Sequence, residues 1–353
     1  MTESVSTGDE LRIGLNGFGR IGRSVFRASL GHPGVEIVAI NDIMDADDMR
    51  YLLSYDSVMG RLGNVELEDE TLVVNGQRVE LLSERDPTEL PWDDLDVDVA
   101  LECTGIFRTY DGASNHIEAG AKKAIISAPP KGDREVKQIV YGVNHEEYDG
   151  ESVVSNASCT TNSIAPVAKV LDDTFGIEEG LLTTVHAYTS TQALVDGPAS
   201  KRRRGRAAAE NIIPTSTGAA IATTEVLPQL EGKLDGMSMR VPVPNGSITD
   251  FTVSLADAGG VDAVNGALSE AATGDLAGVL GTTNEEIVSR DILGLPYSSM
   301  VDLSATMGVG DGLFKVLAWY DNEYGFSNRL LDLSEYIITG ESDPTRREFL
   351  ATV

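Results

Sequence analysis

The chain has 353 residues with a formal net charge of −29, which argues against non-specific binding to nucleic acids or anionic membranes, since both need a basic surface. Its length and its 41% hydrophobic residues predict a globular protein of two domains. The two cysteines, Cys103 and Cys159, favour a reduced protein without a disulfide framework.

The chain shows no pattern of export or membrane insertion. The start, MTESVSTGDE, is acidic and polar, and has neither the basic nor the apolar region of a secretory signal. No apolar run approaches the ~20 residues that span a bilayer. We therefore expect a cytoplasmic protein. Acidic residues occur along the whole chain, which indicates adaptation to a high-salt cytoplasm; an ordinary acidic soluble enzyme is the alternative.

The first predicted unit, LRIGLNGFGRIGRSVFRASL, is an apolar strand, a glycine-rich turn and a helix. Gly17, Gly19 and Gly22 form G-x-G-x-x-G, which lets a pyrophosphate approach the helix N-terminus. The next predicted strand, VEIVAINDI, leads to Asp42, at about the 20-residue distance where a dinucleotide fingerprint has its ribose-binding carboxylate. A capping or turn aspartate is the alternative for Asp42.

Further predicted strands are VDVALECTG, KAIISAPP and SVVSNASC, separated by helical or polar segments, and this alternation predicts a parallel sheet. The composition changes after Cys159. A helix at SIAPVAKVLDDTF is followed by longer strands at LLTTVHAYTS, GMSMRVPVPN and SITDFTVSLA, and by an amphipathic helix at VDAVNGALSEAA. A second, α+β domain is therefore expected to begin near Cys159.

The segment ASKRRRGRAA is the one concentrated basic run in the sequence. A short cluster of this kind can be a targeting signal or a nucleic-acid patch. On so acidic a chain, we expect it instead to face anionic small molecules or a neighbouring acidic subunit.

Cys159 lies in SNASCTTN, directly before a helical pattern. At a helix N-terminus the unpaired N–H groups and the macrodipole favour a thiolate. A nucleophile also needs a base, and His186, at the end of an apolar strand pattern, is the best candidate of the four histidines. His116 and His145 lie in polar, surface-like segments. A hydrogen-bonded structural role is the alternative for His186.

The chain resembles the phosphorylating glyceraldehyde-3-phosphate dehydrogenase family. Nearly the whole chain matches in the family's order, apart from a polar N-terminal extension and a tail after about Gly340. The matching stretches are NGFGRIGR, YDSVMGR, ECTGIF, AGAKKAIISAP, SNASCTTN, TTVHAYT, RAAAENIIPTSTGAA, KLDGMSMRVPVPNGS and WYDNEYGFSNR. We expect an α/β protein: a Rossmann NAD-binding domain of residues 1–158, completed by 323–353, and an α+β catalytic domain of residues 159–322 with a mainly antiparallel sheet.

The resemblance implies a covalent mechanism. The Cys159 thiolate attacks the aldehyde, His186 accepts the proton as hydride leaves for the nicotinamide, and inorganic phosphate then attacks the resulting thioester. The Cys159 backbone N–H and the His186 ring would stabilise the oxyanion. Phosphates would be held without a metal. The implied phosphate-binding residues are Thr189 and Arg240 for the substrate's own phosphate, Ser158, Thr160, Thr217 and Gly218 for inorganic phosphate, and Arg206 as a further phosphate-binding arginine.

The resemblance also implies cofactor contacts from Asn16, Arg20 and Ile21 to adenosine and pyrophosphate, and from Asn322 to the nicotinamide carboxamide. Asp42 favours NAD over NADP, because a carboxylate repels a 2′-phosphate. The family pattern implies a homotetramer. Two departures are Ser163, where many members have a second cysteine, and Phe326, which replaces a frequent tyrosine.

Several alternatives stay open. Within the family they are an erythrose-4-phosphate dehydrogenase and an NADP-using member. Outside it, a Cys–His hydrolase would leave the dinucleotide fingerprint unused, and a non-catalytic NAD-binding or nucleic-acid-associated protein would leave Cys159 and the two phosphate sites unexplained.

Overall fold

The structure is a computed structural model that describes residues 10–346. Residues 1–9 and 347–353 lie outside the described residues, and with them most of the polar start and the end of the expected 323–353 segment. Within residues 10–346, no helix has the length and hydropathy needed to cross a membrane.

The first sheet lies in the N-terminal part of the chain. Its strands, with a short separate ribbon formed by β3 and β4, are β1 (Leu11–Asn16), β2 (Val35–Asn41), β3 (Tyr55–Asp56), β4 (Gly60–Arg61), β5 (Val65–Glu68), β6 (Thr71–Val74), β7 (Gln77–Leu82), β8 (Val99–Glu102), β9 (Lys123–Ile126) and β10 (Val153–Ser155). The order is β10-β9-β8-β1-β2-β7-β6-β5, parallel from β10 to β7 and antiparallel beyond. The central strands are buried on both faces, so their sequences read as continuous apolar runs.

Seven α-helices occur among the described residues. They are α1 (Arg20–Ser29), α2 (Ala46–Ser54), α3 (Tyr110–Glu118), α4 (Cys159–Phe175), α5 (Ala219–Val226), α6 (Val261–Thr273) and α7 (Tyr324–Thr339). The C-terminal helix α7 returns to the first sheet, where Leu330, Leu331 and Leu333 share one hydrophobic core with Ile13 and Ile37.

The second sheet has seven strands: β11 (Ile177–Ala187), β12 (Ile213–Ser216), β13 (Leu234–Val241), β14 (Ser247–Leu255), β15 (Leu280–Thr283), β16 (Ser299–Val309) and β17 (Leu313–Tyr320). The order is β12-β13-β11-β14-β17-β16-β15, in which only the β11–β13 and β15–β16 pairs are parallel. Apolar residues of α4 and α6 pack on one face of this sheet. The predicted α/β class, with an α+β part built on a mainly antiparallel sheet, is confirmed.

Two histidines differ from the expectation of surface positions. His116, on α3, is fully buried, because Trp92 and Glu102 from other elements contact both of its ring nitrogens. His145 is half-buried, with its ring between those of Tyr141 and Tyr336. Trp92 and Glu102 belong to other elements than His116, and Tyr336 lies far along the chain from His145, so the polar local pattern was a poor guide.

Candidate active site

Cys159 is the first residue of α4, as the sequence pattern predicts. Ser158 is the N-cap, with extended backbone, and its Oγ accepts a hydrogen bond from Thr161 N at 3.0 Å. This cap satisfies one first-turn N–H and fixes where the helix begins. The thiol therefore lies beside the positive end of a 17-residue helix.

His186 approaches Cys159 from β11. The distance between Cys159 Sγ and His186 Nε2 is 3.5 Å, and His186 Nδ1 lies 2.7 Å from the carbonyl oxygen of Ala187. Arg240 Nη1, which can only donate, also lies 3.1 Å from Nδ1, but it donates at the shorter distance of 2.8 Å to the same Ala187 oxygen. Since that carbonyl oxygen can only accept and is the nearer partner of Nδ1, we assign the ring proton to Nδ1. The lone pair of Nε2 then faces the sulfur, as a base for this thiol requires.

Burial dominates the electrostatics of the pair. Burial and the nearby Arg240 charge lower the pKa of His186 to about 3, so the imidazole is neutral at pH 7. Burial also raises the pKa of the Cys159 thiol, while Arg240 and hydrogen bonds from Thr160 act in the opposite direction. The thiolate expected from the helix N-terminus is thus opposed by burial in the resting site.

Arg240 joins the pair through the second sheet. It lies opposite His186 in the parallel β11–β13 register, and its Nη1 donates to the Ala187 carbonyl at 2.8 Å. A cavity of about 480 Å³ brings together predicted site residues from both halves of the chain. Those among its lining residues are Arg20, Ile21, Ser158, Cys159, His186, Thr189, Arg240 and Asn322, and Phe326 lines it as well.

Four predicted phosphate-binding residues do not line this cavity. The Thr160 hydroxyl is buried 2.9 Å from Tyr320 Oη, and Thr217 Oγ1 accepts a hydrogen bond from Ala219 N. Gly218 lines a separate cavity. The exposed Arg206 donates from Nε to Asp196 at 2.7 Å. The side chains of Thr217 and Arg206 have other protein partners, Thr160 contacts Tyr320 as well as Cys159, and Gly218 has no side chain.

Two residues near the pair were not predicted from the sequence. Tyr320 Oη lies within hydrogen-bond distance of both Thr160 and Thr184, and its ring meets that of His186 edge-on at 5.9 Å. Arg204 contributes a positive charge that lowers the pKa of both His186 and Arg240. The basic run was a signal for Arg204, but nothing local distinguished it from its neighbours.

A second cavity, of about 300 Å³, lies where β1 and β2 end. Gly17 has φ of +100°, and a Cβ on Gly22 would lie 2.0 Å from the Gly17 carbonyl oxygen, so this turn requires both glycines. A Cβ on Gly19 would meet nothing within 4 Å, which leaves open space beside the α1 N-terminus. Gly19 gives α1 no side-chain cap, so its first-turn N–H groups can receive an anion.

Asp42 lines the same cavity and also supports the turn. Its Oδ2 accepts from Phe18 N at 2.6 Å and its Oδ1 accepts from Met44 N at 3.0 Å. Asp42 therefore stabilises the turn, as the structural alternative expected, and it also lies in the wall of the cavity. With two oxygens, the carboxylate has further acceptor capacity for ribose hydroxyls. These features fit the adenosine half of a dinucleotide.

Arg20 and Asn322 are held by protein partners. Arg20 Nε donates to Glu323 Oε1 at 2.9 Å, and its Nη1 also contacts Asp56, so two carboxylates fix its guanidinium. The Asn322 Oδ1 accepts from Ser247 Oγ at 2.7 Å, which leaves its amide nitrogen as the donor end.

Neither cysteine forms a disulfide, and Ser163 is buried, with its Oγ 3.5 Å from that of Ser299. In the part of the chain that the structure describes, no group of three or more His, Cys, Asp or Glu side chains is arranged to hold a metal ion.

Comparison with known families and proteins gives consistent matches. The family model "Glyceraldehyde 3-phosphate dehydrogenase, NAD binding domain" matches residues 11–110, and "Glyceraldehyde 3-phosphate dehydrogenase, C-terminal domain" matches residues 158–322. Glyceraldehyde-3-phosphate dehydrogenase of Haloarcula vallismortis is 66% identical over 331 residues, covering 93% of this chain and 98% of that protein. Glyceraldehyde-3-phosphate dehydrogenase A of Escherichia coli strain K12 is 51% identical over 329 residues, covering 93% and 99%. Glyceraldehyde-3-phosphate dehydrogenase 1 of Trichormus variabilis is 50% identical over 336 residues, covering 94% and 98%.

Proposed function

The chain belongs to the glyceraldehyde-3-phosphate dehydrogenase family, and we propose that it catalyses the reversible, NAD-dependent, phosphorylating oxidation of D-glyceraldehyde 3-phosphate to 1,3-bisphosphoglycerate. It is an oxidoreductase with an NAD-binding domain. The observation that carries the proposed chemistry is the 3.5 Å contact between Cys159 Sγ and His186 Nε2. It lies in a cavity that Thr189 and Arg240 also line.

The first step joins Cys159 to the substrate. Sγ attacks the aldehyde carbon, the thiol proton passes to His186 Nε2, and the carbonyl oxygen receives it to give a hemithioacetal. His186 suits this transfer because its Nε2 is unprotonated at neutral pH. In the second step the same nitrogen accepts the hydroxyl proton as the carbon is oxidised to a thioester.

NAD, when bound, is the two-electron oxidant of that carbon. The residues proposed to hold it are Asn16, Gly17, Gly19, Arg20, Ile21, Gly22, Asp42 and Asn322. Asp42 and the glycine turn support the adenosine and pyrophosphate end, while Asn322 lines the cavity of Cys159, where the reacting end belongs. Arg20 would act through its first-turn backbone N–H, because carboxylates hold its side chain.

The developing oxyanion needs fixed donors. The backbone N–H of Cys159 belongs to the first turn of α4, and is therefore available to an oxyanion on the attacked carbon. The protonated Nε2 of His186 would supply a second donor after each proton transfer. Together they favour the tetrahedral species over the planar aldehyde.

Two phosphate groups must be bound in the proposed reaction. Thr189 and Arg240 line the cavity and are proposed to hold the substrate's own phosphate through a hydroxyl and a guanidinium. Ser158, beside the sulfur, is proposed to contact the inorganic phosphate that attacks the thioester. Thr160, Thr217, Gly218 and Arg206 stay predictions from the family resemblance, since none of them lines the cavity of Cys159.

The proposed organisation follows the two sheets. We propose an NAD-binding domain of residues 1–158, completed by 323–353, and a catalytic domain of 159–322. A homotetramer is proposed because the outer face of the second sheet leaves Leu181, Met237 and Leu313 exposed, and an apolar face of this kind favours association. We propose that the enzyme works in the cytoplasm.

The test is an assay of NADH formation by the full chain with glyceraldehyde 3-phosphate. Continuous turnover should require inorganic phosphate or arsenate, because the thioester needs an acceptor. Without either, product formation should stop after about one equivalent per site. Continuous phosphate-independent turnover would contradict the proposal. A higher kcat/KM for erythrose 4-phosphate would select that alternative substrate.

A further inference from the structure

A buried polar network centred on Glu102 lies behind the cavity lined by Asn16 and Asp42. Glu102 ends β8 and is 1% exposed, and His116 on α3 is 0% exposed. Glu102 Oε2 accepts a hydrogen bond from Asn16 Nδ2 at 2.6 Å and lies 3.2 Å from His116 Nε2. Glu102 Oε1 accepts from Thr104 N at 2.8 Å and also contacts the Thr104 hydroxyl.

The hydrogen bonds of His116 to Trp92 and Glu102 can each be given a direction; the 3.5 Å contact between Asn16 Nδ2 and His116 Nε2 then joins two donors and is no hydrogen bond. The indole N–H of Trp92 donates to His116 Nδ1 at 3.1 Å. An indole nitrogen only donates, so Nδ1 is unprotonated and Nε2 carries the proton that His116 donates to Glu102. A Cβ on Gly14 would lie 2.9 Å from the Trp92 ring, so this indole packs directly against β1.

The other arm of the network is fixed in the same way. The backbone N–H of Glu84 donates to Asn41 Oδ1 at 2.7 Å, and Asn41 Nδ2 donates to Asn16 Oδ1, also at 2.7 Å. The Asn16 amide is thereby oriented with its nitrogen toward Glu102. Both arms deliver donors to Glu102, and an ionised carboxylate satisfies all of them.

This network forms the wall of the proposed cofactor site. Asn16, Asn41, Glu84 and Thr104 line the cavity, whereas Glu102 and His116 do not. In the parallel register, Asn16 stands opposite both Asn41 and Glu102. Glu102 therefore ties together the ends of the strands and loops that would face the adenosine half of NAD.

We propose that Glu102 and His116 are positioning residues for NAD: they set the orientation of Asn16 and of the loop at Thr104, and so the affinity for the cofactor. This inference rests on the proposed function. The two residues act through Asn16 and Thr104, so they affect cofactor binding and leave the chemistry at Cys159 unchanged.

The variant Glu102→Gln tests the charge and shape of the central acceptor. Its amide N–H groups would face other donors, either Thr104 N or the nitrogens of Asn16 and His116. Turning the Asn16 amide would relieve one clash, but would break its hydrogen bond from Asn41. We therefore expect the cavity wall to be mispositioned while the protein stays folded.

The experiment uses the full chain freed of nucleotide and titrated calorimetrically with NAD, alongside steady-state kinetics. Glu102→Gln and His116→Ala should each raise Kd and KM for NAD by about tenfold or more. The kcat at saturating NAD and the KM for glyceraldehyde 3-phosphate should stay within about twofold of wild type. His116→Gln should recover most of the affinity, because its amide N–H can replace the imidazole donor.

Leu53→Ala is the matched control. Leu53 is fully buried in the core of the same part of the molecule and does not line the cavity. It should lower Tm without changing Kd for NAD.

Two outcomes would overturn the proposal. One is an unchanged Kd for NAD in Glu102→Gln and His116→Ala, and the other is a loss of affinity that follows the loss of Tm in all three variants. Should both variants fail to fold, Trp92→Phe removes the indole donor to His116 but keeps an aromatic ring, and it should still raise Kd for NAD measurably. An unchanged Kd in that variant would also overturn the proposal. Failure of the proposed function is separate, because wild type would then bind NAD without oxidising the aldehyde.

Discussion

His186 and His116 are both buried, and each has Nε2 within 3.5 Å of an ionisable side chain. Their other ring nitrogens differ. His186 Nδ1 donates to a carbonyl, which leaves a free lone pair toward Cys159, whereas His116 Nδ1 accepts from Trp92, which places a proton on the nitrogen facing Glu102. The first arrangement makes a base beside an open cavity, and the second makes a fixed donor in a sealed network. The partner of the distant nitrogen thus decides whether a histidine takes or gives a proton.

The largest effect should come from removing the nucleophile. Cys159→Ser should lower kcat by at least about 10³-fold, because an alcohol is a far weaker nucleophile than a thiol paired with His186. NAD affinity, measured by calorimetry, should be retained, since the variant leaves the Asn16 and Glu102 region intact. Iodoacetamide should label Cys159 before Cys103, because burial raises the pKa of Cys103 to about 12, whereas the Arg240 charge and hydrogen bonds from Thr160 oppose the effect of burial at Cys159. Peptide mapping that found activity loss following the Cys103 label would refute the assignment.

Replacing the base is the next test of the comparison. His186→Asn should lower kcat by about 10²–10⁴-fold, because general-base catalysis is lost while the nucleophile stays. The matched change His116→Asn, at the sealed site, should leave kcat at saturating NAD almost unaltered. Steady-state kinetics of the two variants measures this directly. Equal losses of kcat at the two positions would mean that the open and sealed histidines do not differ as described.

The same contrast between an open and a buried position holds for two carboxylates, since Asp42 lines the cavity and Glu102 does not. Asp42 lines the cavity, so Asp42→Gly should narrow the preference for NAD over NADP by about tenfold. Asp42→Asn, which removes the charge but keeps an acceptor oxygen, separates repulsion from the loss of turn contacts. The measurement is the ratio of kcat/KM for the two cofactors. A wild-type enzyme that prefers NADP would show that Asp42 does not govern selection.

The dependence of Tm on pH should reveal the depressed pKa of the buried His186. The pKa of His186 is lowered to about 3 in the fold, so below its ordinary value near 6.5 the unfolded chain binds the additional proton. The contribution of His186 to the free energy of unfolding is therefore lost as pH falls from about 6.5 toward 3. Relative to His186→Asn, wild type should lose Tm more steeply over this range. Parallel Tm curves for the two proteins would contradict the depressed pKa.

Added salt should weaken the repulsion between exposed carboxylates and leave the buried hydrogen bonds of Glu102 and His116 unchanged. With 56 acidic against 27 basic residues, repulsion between exposed carboxylates opposes compactness and subunit association. At 1 M salt the Debye length is about 3 Å, so that repulsion is screened. Tm and the sedimentation coefficient should rise by modest amounts as KCl is increased to molar levels. Equal stability and an intact tetramer in millimolar salt would exclude salt adaptation, without affecting the enzyme assignment.

Much of the candidate site was accessible from sequence because its parts are local. The turn at Gly17 and Gly22 depends on a few consecutive residues, and Cys159 begins a helix whose cap is its immediate neighbour. The apolar strand patterns likewise predicted five strands of the first sheet and three of the second, since burial on one or both faces gives such strands an apolar pattern. They did not predict β5 to β7, β12 or β15 to β17. Motif order along the chain then supplied the pairing of Cys159 with His186.

The positions of other residues depended on partners far along the chain. Asn16 and Glu102 are 86 residues apart and Asn16 and His116 are 100 apart, yet they share one network. His116 was wrongly expected at the surface because α3 is polar, and a polar segment is buried only where distant groups satisfy its hydrogen bonds. The sequence by itself thus determined the family and the fold class, and it led to the proposed reactive pair of Cys159 and His186. Tertiary structure alone decided which ring nitrogen carries each proton and that Glu102 lies buried behind the cavity, because these depend on contacts that strand register creates between distant residues.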